Sequence, residues 1–268
     1  AVVDTGLRYT HEDLAANAWV NQKEIPGNGV DDDGNGVVDD VHGFNAILNN
    51  GDPMDDHGHG SHVGGIIGGV GNNETGIAGV AWKVQLMGCK FINAQGDGAV
   101  SDAIACLDYA RKNGARIING SWGGPSFNSQ ALRDVIESAR SAGIIFVAAA
   151  GNSGNDNEIE ANTVYPASFD LDNIISVLAT TRNDELAFFS NYGAKTVDLG
   201  APGLDVFSCW ASSDSAYQFF IGSSMAAAHV SGACALALSS FPGDNYRQII
   251  NRVLAGADLR GGAEVLDY

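Results

Sequence analysis

Three residues of this 268-residue chain have the side chains that nucleophilic hydrolysis needs: Asp4, His59 and Ser224. A serine hydroxyl is a weak nucleophile at neutral pH, and it needs an adjacent base that takes its proton. Histidine suits this task because its ordinary pKa of about 6.5 lets it accept and return a proton near neutrality. A buried carboxylate can fix the histidine tautomer and stabilise the imidazolium ion. We therefore predict that Ser224 is a nucleophile, that His59 is its base and that Asp4 orients His59.

The local sequence around Ser224 favours an exposed hydroxyl at the start of a helix. Residues 218–221 have an extended pattern, Gly222 permits a tight turn, and the helical pattern begins at Ser224. A backbone N–H at such a helix start points at the oxyanion that develops during acyl transfer. A serine beside a glycine is more often a plain helix cap, so the prediction depends on all three residues together.

Each of the three residues also lies in a distinctive short sequence: AVVDTG around Asp4, HGSHVGG from His59 and GSSMA around Ser224. In chain order they run Asp, His, Ser, which is the order of the subtilisins. On these motifs the chain resembles the subtilisin-like serine proteases (subtilases), and HEDL at 11–14, AFFSNYG at 187–193 and GAPG at 200–203 resemble further landmarks of that family. The resemblance implies an endopeptidase that cuts extended polypeptides through an acyl-enzyme. It also implies that Asn152, in AAAGNSG at 148–154, donates a side-chain N–H to the oxyanion.

The same resemblance implies how a polypeptide substrate would bind. Two edge segments, Gly96-Asp97-Gly98 and Ser121-Trp122-Gly123, would clamp an extended peptide between them by strand addition. The pocket for the substrate side chain before the scissile bond would be formed by the stretches 148–151 and 164–167. Its residues would be Ala148, Ala149, Ala150, Gly151, Val164 and Ala167. We expect broad specificity with an apolar preference, and Val164 at the floor of this pocket would narrow it.

An acidic stretch at residues 31–40, DDDGNGVVDD, matches the first half of an EF-hand-type calcium loop. Oxygen-bearing side chains alternate, glycine stands at the sixth position and an apolar residue at the eighth. The closing glutamate is absent, because His42 stands at the twelfth position. The alternative is a solvated acidic turn, although clustered carboxylates repel one another without a cation. We predict calcium ligands from Asp31, Asp33, Asn35, the carbonyl of Val37, and Asp39 or Asp40.

A second calcium site is implied by the resemblance alone, in the stretch NNETGIAGVA at 72–81. It would use the side chain of Asn73, the carbonyls of Gly71, Thr75 and Ile77, and a carboxylate of Asp13 from far away in the sequence. Calcium is the cofactor that we expect, and its role would be structural.

Two other functions remain open at this point. His57, His59 and His62 could bind zinc in a metal-dependent hydrolase, but that interpretation leaves Ser224 and Asn152 unexplained. The chain could also be a non-catalytic, calcium-binding pseudoprotease that only holds peptides. Every residue that the chemistry needs is present, which favours an enzyme.

The composition excludes several classes of protein. A formal net charge of −18, from 32 acidic and 14 basic residues, makes nucleic acid a poor partner because phosphates would be repelled. An apolar fraction of 45% and six prolines argue against disorder, and no apolar run approaches the length of a membrane span. The four cysteines, Cys89, Cys106, Cys209 and Cys234, lie in apolar stretches and are predicted to be buried free thiols. We expect a secreted monomer.

Short β-branched runs alternate with helix-patterned segments, which predicts an α/β protein with a three-layer, doubly wound fold around a mostly parallel sheet. The predicted strands are 84–92, 116–119, 144–150, 174–179 and 197–199, and the predicted helices are 99–113, 129–142, 224–240 and 244–254. Asp4, Asn119 and Asn152 each follow a strand, at the carboxyl ends where such sheets carry their active sites. We assign one domain, residues 1–268. We expect it to be clipped at its N-terminus, with a pro-segment outside it, because the chain opens on what reads as the end of a strand.

Overall fold

Seven parallel strands form the central sheet in a computed structural model that describes residues 1–259 of the chain. In chain order these strands are β1 (Val2–Asp4), β2 (Gly43–Asn45), β3 (Gly88–Lys90), β4 (Ile117–Gly120), β5 (Ile145–Ala149), β6 (Ile174–Thr180) and β7 (Leu199–Pro202). They lie side by side in the order β2-β3-β1-β4-β5-β6-β7, and every neighbouring pair is parallel. Outside this sheet, β8 (Val206–Trp210) and β9 (Ala216–Phe220) form an antiparallel hairpin.

Helices cover both faces of the sheet. They are α1 (His59–Gly68), α2 (Val100–Lys112), α3 (Gln130–Ser141), α4 (Ser223–Ser240) and α5 (Tyr246–Ala255). Helices α2 and α3 pack with Val3, Ile118 and Phe146 on one face, and α4 and α5 pack with Ile175 and Val177 on the other. The predicted three-layer, doubly wound α/β fold is therefore confirmed. The single domain that we predict runs to residue 268, and residues 260–268 lie outside the described part.

Local sequence explains where the helices begin and which way they face. The Ser129 hydroxyl accepts a hydrogen bond from the Leu132 N–H and caps α3. Helix α3 then buries Leu132, Ile136 and Ala139, which lie on one stripe of the helix. Helix α5 begins with a reciprocal cap between Asn245 and Gln248. No helix within residues 1–259 has the length and apolar character that crossing a membrane requires.

The structure shortens or shifts some predicted strands. The strand predicted at 84–92 is reduced to β3, because Leu86 pairs with Ala18 in an isolated bridge instead. The strand predicted at 197–199 is displaced to β7, which ends on Pro202. Strand β7 lies at the edge of the sheet, where the N–H that proline lacks is not needed for pairing. The four cysteines are free and buried, as predicted.

The ends of two strands and two helices meet at one edge of this sheet. Asp4 is the last residue of β1, and Asn152 follows β5 closely. Helix α1 begins with His59 and α4 begins one residue before Ser224. The two helices share a buried cluster that contains Val63, Ile66, Met225 and Ala228. The fold therefore holds the four predicted catalytic residues at the carboxyl edge of the sheet.

Candidate active site

Asp4 and His59 form a buried pair at the end of β1. His59 Nδ1 lies 2.7 Å from Asp4 Oδ1, and Asp4 has no solvent exposure. Burial alone would lower the pKa of His59, but the adjacent Asp4 carboxylate raises it above its ordinary value. Since Nδ1 donates to Asp4, the neutral ring presents Nε2 as its proton acceptor. The pair therefore has the arrangement that a general base needs.

A second buried carboxylate, Asp55, fixes the start of helix α1. One of its oxygens accepts from the Thr5 hydroxyl at 2.9 Å and from the N–H groups of His57 and Gly58. The other accepts from the N–H and the hydroxyl of Ser61 at 2.9 and 2.7 Å. Burial alone would raise the pKa of Asp55, but these hydrogen bonds lower it. Sequence reasoning missed Asp55, because it lies three residues before the helix cap Gly58 and only folding brings Thr5 to it.

Ser224 lies in the first turn of α4 and exchanges hydrogen bonds with Ser121. Its hydroxyl donates to the Ser121 carbonyl at 2.9 Å, and the Ser121 hydroxyl donates to the Ser224 carbonyl at 2.8 Å. In this conformation the Ser224 hydroxyl is directed at Ser121 and not at His59. A rotation about χ1 moves a serine hydroxyl between three staggered positions, and the observed contact holds the Ser224 hydroxyl in one of them.

The amide of Asn152 is oriented by Ser223, the neighbour of the predicted nucleophile. Asn152 Oδ1 accepts from the Ser223 N–H at 2.8 Å and from the Ser223 hydroxyl at 2.9 Å, so Nδ2 faces the opposite way. A β-carbon added to Gly222 would lie 3.4 Å from Asn152 Nδ2 and 3.6 Å from the Ser224 N. Two N–H donors therefore border one small space that glycine leaves open. Such a space has the shape that an oxyanion would fill.

A groove leads to His59 between the two predicted edge segments. Its lining includes Gly96, Asp97 and Gly98 on one side, Ser121, Trp122 and Gly123 on the other, and His57 and His59 at one end. The Trp122 ring is buried, and its Nε1–H donates to the Val3 carbonyl at 2.8 Å. Phe91 packs edge-on against Trp122. The structure thus brings both segments and the predicted base to one groove, whose lining also includes the aromatic rings of Phe91 and Phe127.

Val164 lies between the edge segment 121–123 and the predicted pocket stretch 148–151. A β-carbon on Gly123 would lie 3.0 Å from Val164 Cγ1, and a β-carbon on Gly151 would lie 3.0 Å from Val164 Cγ2. Val164 is 8% exposed, so its two methyl groups fill the gap between these segments. Ala148, Ala149, Ala150 and Ala167 are buried. Ala167 packs into the core with Ala148, so it supports the predicted pocket from the core side.

Comparison with known proteins decides the family. The model of the subtilase family matches residues 1–265 of the chain. This protein belongs to the subtilase family. The subtilase is 36% identical to subtilisin DY of Bacillus licheniformis over 261 residues, which cover 97% of this chain and 83% of that protein. A solved cold-adapted subtilisin-like serine proteinase matches with a TM-score of 0.73 and 31% identity, over 93% of this chain and 78% of that one.

Relatives from Plasmodium are longer than this subtilase. Subtilisin-like protease 1 of Plasmodium berghei is 36% identical over 266 residues, and that of Plasmodium vivax is 38% identical over 265 residues. Both matches cover 93% of this chain, but only 44% and 42% of those proteins. The chain therefore spans less than half the length of these curated relatives.

An acidic cluster in this subtilase is formed by Glu24, Asp31 and Asp33. Their carboxylate oxygens lie within 4.8 Å of one another. Sequence reasoning missed Glu24, because it comes before the acidic stretch and has no motif of its own. Carboxylate oxygens are the ligands that calcium prefers, so the donor set fits this ion. Glu24 is buried and accepts hydrogen bonds from the N–H groups of Asp32, Asp33 and Asp39, which stabilise its charge but do not cancel the repulsion among the three carboxylates.

The remaining predicted ligands of this loop have other partners. Asp39 accepts hydrogen bonds from the N–H groups of residues 27–29, on the outside of the loop. Asp40 is fully buried and accepts from Asn21, Asn35 and Tyr109. Asn35 Oδ1 accepts from the Val37 N–H at 2.8 Å. The structure therefore brings Asp31 and Asp33 together with Glu24, and it directs Asp39 and Asp40 elsewhere.

The second set of predicted ligands lies together, but protein donors already surround Asp13. Asp13 Oδ1 accepts from Asn73 Nδ2 at 2.6 Å. Asp13 Oδ2 accepts from the Ile77 N–H at 2.8 Å and from the Tyr217 hydroxyl at 2.7 Å. Gly71 and Thr75 lie in the same loop, which packs against Asp13. The predicted set thus has one carboxylate, which is hydrogen-bonded to three protein donors.

The histidine-rich segment does not form a metal site in the structure. His59 Nδ1 is paired with Asp4, and His57 Nδ1 accepts from the His59 N–H at 3.3 Å. His62 Nε2 lies 3.1 Å from the carbonyls of Val206 and Gln218. Among residues 1–259, the only three acidic, histidine or cysteine residues that gather ligand atoms are Glu24, Asp31 and Asp33. The zinc alternative therefore has no structural support.

Proposed function

We propose that this subtilase is a serine endopeptidase that uses Ser224 as its nucleophile. The observation that carries the proposal is the buried pair of Asp4 and His59, 2.7 Å apart, at the same sheet edge as Ser224. The two N–H donors around Gly222 add support, because acyl transfer needs them at that place. A pseudoprotease would not need this pair of donors next to a nucleophile.

The reaction follows from these positions. The Ser224 hydroxyl turns from Ser121 towards His59, whose Nε2 takes its proton as Oγ attacks the scissile carbonyl carbon. Asn152 Nδ2 and the Ser224 N–H hold the negative oxygen of the tetrahedral intermediate. His59 then gives the proton to the leaving amine, and the acyl-enzyme forms. Water attacks the acyl carbon with His59 as base again, which releases the acid and restores Ser224.

The groove supports an extended polypeptide as the substrate. Its two edges, residues 96–98 and 121–123, are backbone segments that can pair with a peptide as added strands. The methyl groups of Val164 narrow the pocket next to Gly151, which favours small or medium apolar side chains before the scissile bond. We therefore propose broad cleavage with an apolar preference.

Calcium is the ion that we propose for the cluster of Glu24, Asp31 and Asp33. These residues would hold the ion through carboxylate oxygens, and its role would be to neutralise the loop at 24–40 and hold it folded. The Asp13 set stays a prediction, because it has one carboxylate where the Glu24 cluster gathers three. An exposed acidic loop of this kind suits the high calcium concentration outside cells, and we propose that the enzyme is secreted.

A peptide library cut by the purified protein tests the proposed function. We expect hydrolysis within peptides, with apolar residues before the cleaved bond, and no hydrolysis by Ser224→Ala. Cleavage that survives in Ser224→Ala would contradict the mechanism. Strict cleavage after arginine or lysine would contradict the proposed preference while leaving the mechanism intact.

A further inference from the structure

The loop that carries Asn152 rests against the segment 189–192 from the connection between β6 and β7. Backbone hydrogen bonds join the two, among them Gly154 N–H to the Phe189 carbonyl at 2.7 Å, Tyr192 N–H to the Asn155 carbonyl at 3.0 Å, and Asn157 N–H to the Tyr192 carbonyl at 2.8 Å. Asn152 is itself exposed. Its loop therefore depends on this neighbouring segment for its position.

Asn191, at the centre of that segment, uses its polar groups to form hydrogen bonds with the residues that flank Asn152. Its backbone N–H donates to the Gly151 carbonyl at 2.9 Å. Its side-chain oxygen accepts from the N–H groups of Ser153 at 2.8 Å and Asn155 at 3.2 Å. Asn191 is 1% exposed, so water does not compete for these hydrogen bonds. The backbone is thus held immediately before and immediately after Asn152.

A second buried side-chain amide, that of Asn157, links Asn191 to the backbone just before Asn152. Asn191 Nδ2 donates to Asn157 Oδ1 at 2.8 Å, and Asn157 Nδ2 donates to the Ala150 carbonyl at 2.8 Å. Asn157 is also 1% exposed. A β-carbon on Gly151 would lie 2.6 Å from Asn191 Nδ2, so only glycine permits this close approach. These hydrogen bonds connect Ala150 to Asn157, Asn157 to Asn191, and Asn191 back to the loop backbone at Ser153.

Asn191 is in turn fixed to the central sheet. The neighbouring Ser190 hydroxyl accepts from the Ala179 N–H of β6 at 2.8 Å and donates to the Asn191 carbonyl at 3.0 Å. Ala179 pairs with Ala201 of β7 within the sheet. Hydrogen bonds therefore connect the sheet to Asn191 through Ser190, and Asn191 to the Asn152 loop.

We propose that Asn191 is a positioning residue that holds Asn152 at the oxyanion, a role that rests on the proposed function above. An oxyanion donor acts only when it lies about 2.7–3.1 Å from the developing charge, and a displacement of about 1 Å removes most of its effect. Loss of Asn191 removes the acceptor that holds Ser153 and Asn155. The Asn152 amide then loses its fixed distance to the reacting carbonyl, whereas the substrate groove keeps its own residues.

Steady-state kinetics of Asn191→Ala tests this role against a matched control. Asn173→Ala is the control, because Asn173 is another fully buried asparagine, which bonds the Ile144 carbonyl at the opposite end of β5 and β6. We expect Asn191→Ala to lower kcat by roughly 10- to 100-fold with KM changed less than about 2-fold. We expect Asn173→Ala to lower Tm and to leave the kcat of the folded enzyme unchanged.

A double substitution distinguishes positioning of Asn152 from general damage. Asn152→Ala alone should lower kcat by about 10²–10³-fold, the usual cost of one oxyanion donor, a magnitude that itself comes from a subtilisin. Adding Asn191→Ala to Asn152→Ala should then change kcat by less than about 2-fold, because the residue that it positions is already gone. Multiplied losses in the double variant would overturn the role, as would a full kcat in Asn191→Ala.

Asn191→Asp keeps the test decisive if Asn191→Ala does not fold. Aspartate retains the acceptor for Ser153 and Asn155 and loses the donor to Asn157, so we expect a smaller loss of kcat with KM unchanged. A kcat equal to that of the wild type in folded Asn191→Asp and in folded Asn157→Ala would overturn the proposal. A wild-type enzyme that hydrolyses no peptide would instead overturn the proposed function and this role with it.

Discussion

At the scale of single residues, the proposed mechanism makes the activation of Ser224 depend on the charge of His59. His59 accepts a proton only when it is neutral, and Asp4 raises its pKa above the ordinary value of 6.5. The rate constant kcat/KM should therefore rise with pH through a midpoint above 6.5 and reach a plateau at weakly alkaline pH. The pH profile of kcat/KM on one peptide measures this midpoint.

Asp4→Asn is the variant that tests the cause of this shift. Removing the charge should move the midpoint of kcat/KM to lower pH and reduce its plateau by about 10⁴-fold, because the imidazolium and the tautomer lose their partner. An unchanged midpoint in Asp4→Asn would show that Asp4 does not control the pKa of His59.

The residues of the site differ in how far the sequence could predict them. Asp4, His59 and Ser224 each lie in a short motif that carries its own chemical meaning. The orientation of Asn152 could not be predicted, because it depends on Ser223, which is 71 residues away. The role of Glu24 in the acidic cluster could not be predicted for a similar reason, since only folding brings it to Asp31 and Asp33.

At the scale of elements, His62 joins helix α1 to both strands of the β8–β9 hairpin. Its Nε2 lies 3.1 Å from the carbonyls of Val206 in β8 and Gln218 in β9. Strand β9 runs directly into the turn before Ser224, so this contact links the helix that carries His59 to the segment that carries Ser224. Within residues 1–259, His62 Nδ1 is a buried atom without a hydrogen-bond partner.

This contact predicts that the protein loses stability in mild acid. Burial lowers the pKa of His62 to about 4 from the 6.5 expected when unfolded. The folded state therefore prefers neutral His62, and the free energy of unfolding should be unaffected above pH 6.5 and fall as the pH drops from 6.5 towards about 4. The loss from this one group would be up to about 3 kcal/mol, at about 1.4 kcal/mol for each pKa unit.

His62→Gln isolates that contribution from the carboxylates, which also titrate in acid. Glutamine keeps an N–H donor without a titrating group. Urea unfolding of both proteins at several pH values gives the difference between their free energies of unfolding. We expect this difference to shrink by up to about 3 kcal/mol between neutral pH and pH 4. A difference that stays constant would rule out His62 as the source.

The elements that the sequence predicted best are those with a strong local pattern. Helix α3 has its cap and one buried stripe, and it was predicted within a residue at each end. The hairpin of β8 and β9 was predicted only as an extended stretch at 218–221, because its packing against α1 is formed by residues far apart in the sequence. Strand β3 was predicted too long, since neighbouring apolar residues pack outside the sheet.

At the scale of the whole molecule, the net charge of −18 opposes the compact state through self-repulsion, so a bound cation would stabilise the fold. Calcium at the cluster of Glu24, Asp31 and Asp33 would stabilise the folded state by mass action. We expect a chelator to lower Tm by roughly 5–10 °C, as follows from a site filled to about 100 times its Kd in a domain of this size. Differential scanning calorimetry with and without added calcium measures the change.

Matched variants assign this effect to the cluster. Asp31→Asn and Glu24→Gln should abolish the response of Tm to calcium. Asp39→Asn should retain the response, because Asp39 bonds residues 27–29 outside the cluster. A response that survives in Asp31→Asn and Glu24→Gln would place the ion elsewhere, for example at the Asp13 set.

The central claim, that this subtilase holds an assembled serine nucleophile, is tested most directly by labelling with a fluorophosphonate. The folded protein would be treated in millimolar calcium, digested and mapped by mass spectrometry, with Ser224→Ala as the control. We predict one modified residue, Ser224, and none in Ser224→Ala. A folded wild-type protein that takes up no label, or takes it up equally in Ser224→Ala, would contradict the claim.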